Sequence, residues 1–236
     1  ITEQTPSFYT YLGQNITTAN NHSTVELYNE PYKIKAKLTK VDEETGNKLS
    51  GAVFHVYQWS KAKRAYVEYK GSTTGTVSVA GKNQETGSMT ALSSVMQLKE
   101  STTEKGVYTT PSWLYYTLDN EGKFRIIETT APTGYFGDFV DNDATNAKNV
   151  YDFSIKLDGS NNTKTIDISN QQDGKFGNQR TLGAITFNKY DKEANANISQ
   201  GDATLSDAVY KLYAAQDIIH QDQSGTLLYK AGEEIH

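Results

Sequence analysis

Residues 33–40 read Lys-Ile-Lys-Ala-Lys-Leu-Thr-Lys, with apolar and polar side chains in strict alternation. A period of two belongs to a β-strand with one buried face, because successive side chains point to opposite sides of a sheet. Wrapped into a helix, Ile34, Ala36 and Leu38 would scatter around the cylinder and bury no common face. The inward row of this strand ends on Lys40. Two other segments behave alike: Phe124 and Ile126 lead to Glu128, and Ile166 and Ile168 lead to Asn170. Three inward rows therefore end in one amine, one acid and one amide.

The rest of the chain extends the β reading. Its 16 tyrosines, 18 glycines and many threonines favour strands and turns, and short alternating segments are separated by Gly, Asn and Asp clusters. Helical periodicity is nearly absent, with one weak candidate near 89–98. The pattern predicts an all-β sandwich. Strands are expected near 33–40, 52–59, 65–69, 107–117, 123–129, 150–157 and 164–169. Residues 71–106, rich in Gly, Ser and Thr, read as an insertion into the sandwich.

Internal similarity divides the chain. Leu49-Ser50-Gly51-Ala52-Val53-Phe54-His55-Val56-Tyr57 matches Leu205-Ser206-Asp207-Ala208-Val209-Tyr210-Lys211-Leu212-Tyr213. Each follows a Lys-x-Asp, Lys40-Val41-Asp42 and Lys189-Tyr190-Asp191. Val25-Glu26-Leu27-Tyr28-Asn29 matches Ile166-Asp167-Ile168-Ser169-Asn170, and Glu3 through Tyr9 loosely echoes Glu128 through Tyr135. The expected organisation is the tail of one domain at 1–30, a complete domain at 31–180, and the beginning of another at 181–236. The opening residues read as the middle of a strand, so the chain is expected to be a fragment of a longer, tandem β-domain protein.

Burying an isolated charge costs several kcal/mol, and such groups neutralise by shifting their pKa. Burial lowers a lysine and raises a glutamate. Lys40 and Glu128 placed together in an apolar pocket could share one proton and leave the amine neutral, hence nucleophilic. The amide carbon of Asn170 is the candidate electrophile, and Glu128 the group that polarises it and passes a proton to departing ammonia. Asn161, Asn162 and Asn178 lie nearby in sequence; alternation favours Asn170.

Lys40-Val41-Asp42, Leu49-Ser50-Gly51-Ala52-Val53-Phe54 and Ile127-Glu128-Thr129-Thr130-Ala131-Pro132-Thr133-Gly134-Tyr135 resemble the Cna-B (SpaA-like) domain of Gram-positive adhesins and pilins. The resemblance spans 31–180. It implies an immunoglobulin-like or prealbumin-like β-sandwich in which the first-strand lysine bonds to an Asn or Asp of the last strand, with the motif glutamate as catalyst. Carried over, these are Lys40, Asn170 and Glu128. In the flanking pieces Lys189 matches the nucleophile, Asn29 the acceptor and, less well, Glu3 the catalyst; a Lys189 of one molecule could meet Glu3 and Asn29 of another. The implied role is a structural stalk segment, extracellular and wall-anchored, whose partners are neighbouring domains of the same surface protein. A host protein or glycan contacted by the 71–106 insertion is the other reading. The crosslink would form once per molecule, so no turnover enzyme is expected.

Other chemistries find little support. A net charge of −5 lacks the clustered Lys and Arg that nucleic acid needs. No apolar run has the length of a membrane span. Cysteine is absent, so no disulfide can staple the fold. Asp141-x-Asp143-x-Thr145, with Asn149 and Asp152, faintly echoes a calcium loop but lacks its glycine and final glutamate, and reads as a polar turn. His22, His55, His220 and His236 are scattered, so no metal or other cofactor is expected. Trp113 and Tyr115 share a face and are expected in the core.

Overall fold

The computed structural model describes residues 31–79, 82–91, 94–137, 149–158, 160, 162–169, 176–193, 195–198, 204–206 and 208–236. Glu3, Asn29, Asn170, Asp141 and Asp143 fall outside the described residues. The chain divides into two units, Ile1–Glu30 and Pro31–His236.

No α-helix occurs among the described residues, those of the weak helical candidate near 89–98 included. Two sheets carry the fold. In the first, β1 (Lys33–Asp42) is central. One edge of β1 pairs antiparallel with β7 (Val107–Thr109) and β8 (Leu114–Tyr115), and β6 (Lys99–Glu100) lies outside β7. The other edge pairs parallel, first with β11 (Lys164–Asp167) and then with β12 (Phe176–Asn178). The second sheet runs β10 (Val150–Ser154), β9 (Lys123–Thr130), β2 (Val53–Ser60) and β3 (Ala65–Glu68), antiparallel throughout.

Alternation explains the core. Ile34, Ala36 and Leu38 of β1 are wholly buried and share one cluster with Phe54 and Val56 of β2, Phe124 and Ile126 of β9, and Tyr151 and Phe153 of β10. Aromatic rings lock the two sheets edge to face, Phe54 with Tyr108 at 5.0 Å and Phe54 with Phe176 at 6.4 Å between centroids.

The supposed insertion is shorter than 71–106. A hairpin of β4 (Ser72–Val79) and β5 (Lys82–Ala91) forms its own two-stranded sheet. From Met96 onward the chain rejoins the sandwich, because Met96 and Leu98 bury their side chains while bonding backbone to Val56 and Phe54. Trp113 also departs from expectation. Tyr115 is buried, but Trp113 lies under Lys33 and Lys35, whose Nζ atoms stand 5.3 and 5.4 Å from its ring centroid.

Past the sandwich, the described residues 181–217 form no named strand, although their sequence repeats that of β1 and β2. Ile185, Phe187 and Val209 are exposed, as is Lys189. A hairpin of β13 (Ile218–Ile219) and β14 (Leu227–Tyr229) follows. Its loop docks on the turn after β1: Asn47 Nδ2 donates to Asp222 (2.7 Å), and Gln223 bonds both backbone groups of Ser50 (3.0 and 3.1 Å).

Candidate functional site

Lys40 and Glu128 meet between the sheets. Lys40 follows Ile34, Ala36 and Leu38 on the inward row of β1, ahead of Asp42, and is 0% exposed; Glu128, ending the inward row of β9, is 1% exposed. Those values decide against side chains that snorkel to water. Lys40 Nζ donates to Glu128 Oε2 at 3.0 Å. The walls are aromatic: Phe54, Phe176 and Tyr151 surround this end of the core, with the Tyr151 and Phe176 centroids 3.7 Å apart.

The amide brought to this pair is Asn178. Its Oδ1 accepts from Lys40 Nζ at 2.5 Å, and its Nδ2 donates to Glu128 Oε1 at 3.0 Å. Sequence alternation favours Asn170 instead, and the reason for the difference is a register slip. In β11, Lys37 faces Asp167, an offset of 130 residues; in β12, Lys40 faces Phe176, an offset of 136. Unbroken pairing would set Asn170 opposite Lys40. The slip of six residues is even, so Phe176 and Asn178 keep the inward phase that Ile166 and Ile168 have.

Burial shifts both titratable groups. It lowers the Lys40 ammonium from its ordinary range, opposed by the attraction of Glu128. It raises the Glu128 carboxyl, opposed by Lys40 and by the Asn178 amide. Both directions favour a neutral amine beside a protonated carboxyl over the ion pair, and the neutral amine is the nucleophilic form. Burial and the neighbouring Glu128 charge also push the Tyr151 hydroxyl up, so it stays protonated.

Glu128 is held by its backbone as well. Its N–H donates to Asn149 O (3.0 Å), and its C=O accepts from Asn149 Nδ2 (2.9 Å). These bonds extend the β9–β10 ladder one residue past Val150–Ile127, while on the other edge of β9 Glu128 pairs with Phe54 beside the slip between Val53 and Phe54.

A second polar cluster lies two residues beyond Lys40. Asp42 is fully buried and accepts from Tyr135 Oη (2.7 Å), Arg180 Nε (2.9 Å) and Nη2 (3.2 Å), and the N–H groups of Glu44 (2.9 Å) and Thr45 (2.8 Å). Burial alone would raise its carboxyl; the bonds from Arg180, Tyr135, Thr45 and Glu44 outweigh it and hold it well below the usual aspartate range. This cluster gives a job to the aspartate of Lys-x-Asp and the tyrosine of Gly134-Tyr135. Sequence reading quoted both residues without assigning them work, named Asn178 only as a neighbour of the favoured Asn170 and Asn149 only in a polar turn, and missed Arg180. The even spacing of Phe176, Asn178 and Arg180 is the signal that could have singled out Asn178 and Arg180.

The fold and this centre define an all-β sandwich with a lysine, a carboxyl and an amide sealed between its first and last strands. The chain belongs to the SpaA family of prealbumin-like fold domains, whose model matches residues 34–172. Comparison with curated protein sequences gave no match. Among solved structures the chain is similar to GBS52, the minor pilin of Streptococcus agalactiae, at 14% identity over 67% of this chain and 49% of that one (TM-score 0.35). It is similar to the shaft pilin SpaA of Lactobacillus rhamnosus GG (D295N mutant) at 19% identity over 66% and 53% (TM-score 0.32). Domains D2 and D3 of the major pilin SpaD of Corynebacterium diphtheriae share 22% identity over 64% and 48% (TM-score 0.32). The chain thus spans about half the length of each of these structures.

Proposed function

We propose that this chain is a structural segment of an extracellular, wall-anchored bacterial pilin or adhesin, stiffened by an amide bond that Lys40 forms with Asn178 under the control of Glu128. The observation that carries the reading is that one carboxyl touches both nitrogens that must exchange: Oε2 accepts from the lysine and Oε1 from the amide nitrogen. The neutral amine attacks Cγ of Asn178. The Cγ–Nδ2 bond breaks, one amine proton passes through Glu128 to the departing nitrogen, and ammonia leaves. Glu128 ends as it began, so the reaction needs no cofactor and runs once.

The topology gives the bond its mechanical meaning. β1 and β12 are parallel, and Lys40 and Asn178 both lie near their outgoing ends. Tension entering at Lys33 would run along β1 to Lys40, cross to Asn178 and leave through residue 179. The 137 residues between the two would carry none of it. Closing a loop of this size also stabilises by about 5 kcal/mol on the chain-entropy account. In a chain without cysteine, this bond would do the work of a disulfide.

Intact mass under denaturing conditions tests the reading. The expected result is a chain lighter by one ammonia, with peptide mapping joining Lys40 to Asn178. A full-mass chain after prolonged folding would overturn it.

The β4–β5 hairpin supports a second, compatible role, adhesion to a host protein or glycan, because it forms a sheet of its own outside the two main sheets. Deleting 72–91 should leave the ammonia loss intact; binding to host surfaces unchanged by the deletion would refute the adhesive role.

A further inference from the structure

Two asparagines compete for Lys40 by register. Continuing the β11 pairing would set residue 170 opposite Lys40, whereas the observed β12 pairing sets Phe176 there and Asn178 opposite Asp42, from where its Oδ1 meets Lys40 Nζ. Backbone bonds in a parallel ladder are indifferent to which stretch of chain supplies them. Something outside the ladder must choose, and the Asp42 cluster is placed to do so.

Arg180 lies two residues past Asn178, and its guanidinium forks onto both carboxylate oxygens of Asp42 while Nη1 meets Glu44 at 2.9 Å. Forked arginine–carboxylate pairs fix orientation as well as proximity. Tyr135 completes the cluster from the Glu128 side. Its hydroxyl binds Asp42, its backbone bridges Arg180, and the next residue, Phe136, donates to Gln179 O at 3.0 Å. Thr181 N donates to Gly134 O at 3.0 Å. The strand that carries the amide is thus tied to the strand that carries the lysine and to the loop that follows the glutamate.

Resting on the proposed crosslink, we infer that Asp42, Tyr135 and Arg180 form a register latch that selects Asn178 as the acceptor. These are positioning residues, since none touches the reacting atoms. The latch acts by holding the slipped pairing of β12, so that the amide of Asn178 points at Lys40 and Glu128.

Two measurements on the full chain test this. The first follows ammonia loss after a pulse of cell-free synthesis and maps the acceptor by peptide mass. Arg180→Ala should slow the reaction at least tenfold or move part of the product to Asn170, and Arg180→Lys should restore part of the rate. Tyr135→Phe, which keeps the ring and removes one donor, should slow it several-fold and covers the case in which Arg180→Ala fails to fold. The second measurement needs no crosslink. The chain has no cysteine, so Lys40→Cys paired with Phe176→Cys reports the slipped register by disulfide formation, and Lys40→Cys with Asn170→Cys reports the unslipped one. The first pair should oxidise and the second should not, and adding Tyr135→Phe or Arg180→Ala should erode the preference. Latch variants that react at the wild-type rate on Asn178 and keep the disulfide preference would overturn the latch. A shifted disulfide preference with no ammonia loss in the wild-type chain would uphold the latch and sink the crosslink.

Discussion

Lys40 Nζ and Asn178 Oδ1 lie 2.5 Å apart although 138 positions separate them in sequence. They sit on parallel strands, so both approach the site travelling in the same direction, and Glu128 of the opposite sheet closes it from the other side. Everything the site can do follows from that enclosure, because water would keep the amine charged and the amide unreactive.

Removal of either end of the bond should leave a full-mass chain. Lys40→Ala and Asn178→Ala should each abolish the ammonia loss, while Asn170→Ala should keep it. Losing about 5 kcal/mol of loop restraint in a domain of this size corresponds to a fall of about 10–20 °C in Tm. Calorimetry alongside intact mass checks both effects.

Glu128→Gln preserves volume but can accept from only one of the two nitrogens and cannot carry a proton between them. General acid–base help is worth about 100-fold or more, so the crosslink should form that much more slowly. Time-resolved mass measurement at wild-type speed would refute the proton-carrying role.

Asp42 predicts an acid limb. Its folded carboxyl is held below its unfolded value, so its stabilisation is present above the ordinary aspartate range and is lost as pH falls toward the depressed value. Stability of the Lys40→Ala chain should decline through this acidic window. Asp42→Asn in that background should flatten the decline, and an unchanged slope in chemical denaturation would contradict it.

Glu128 predicts the opposite sign once its partner is removed. Burial raises its carboxyl, and Lys40→Met deletes the cation that opposes the rise. The stabilisation of a raised acid is complete below its unfolded pKa and is lost as pH climbs through the folded one. Lys40→Met should therefore unfold more easily as pH rises above the ordinary glutamate range, which denaturant midpoints across pH will read.

Gly106 should tolerate no side chain. Its φ is +71°, and a Cβ there would sit 2.9 Å from Leu49 N and 3.0 Å from Lys40 O. The contacts are backbone and cannot yield cheaply, while Gly106 O itself accepts from Lys40 N at 2.8 Å. Gly106→Ala should cost more than about 1 kcal/mol and slow crosslinking by displacing the lysine strand.

Sequence alone carried the fold class and two thirds of the centre. Period-two rows in β1 and β9 require buried faces, and any chain obeying them must bury Lys40 and Glu128 with Ile34 and Ile126. The repeat of Leu49–Tyr57 at Leu205–Tyr213 was equally visible, yet the described residues of the second copy form no named strand. The acceptor was beyond the reach of local pattern. Asn170 and Asn178 have the same inward phase, and a slip of six residues in β12 leaves every alternation intact. What distinguishes them is whether Asp42, Tyr135 and Arg180, far apart in sequence, converge in space. Alternation is a property of neighbours and can be read from the chain; register between distant strands is a property of long-range pairing, and only the tertiary structure decided it.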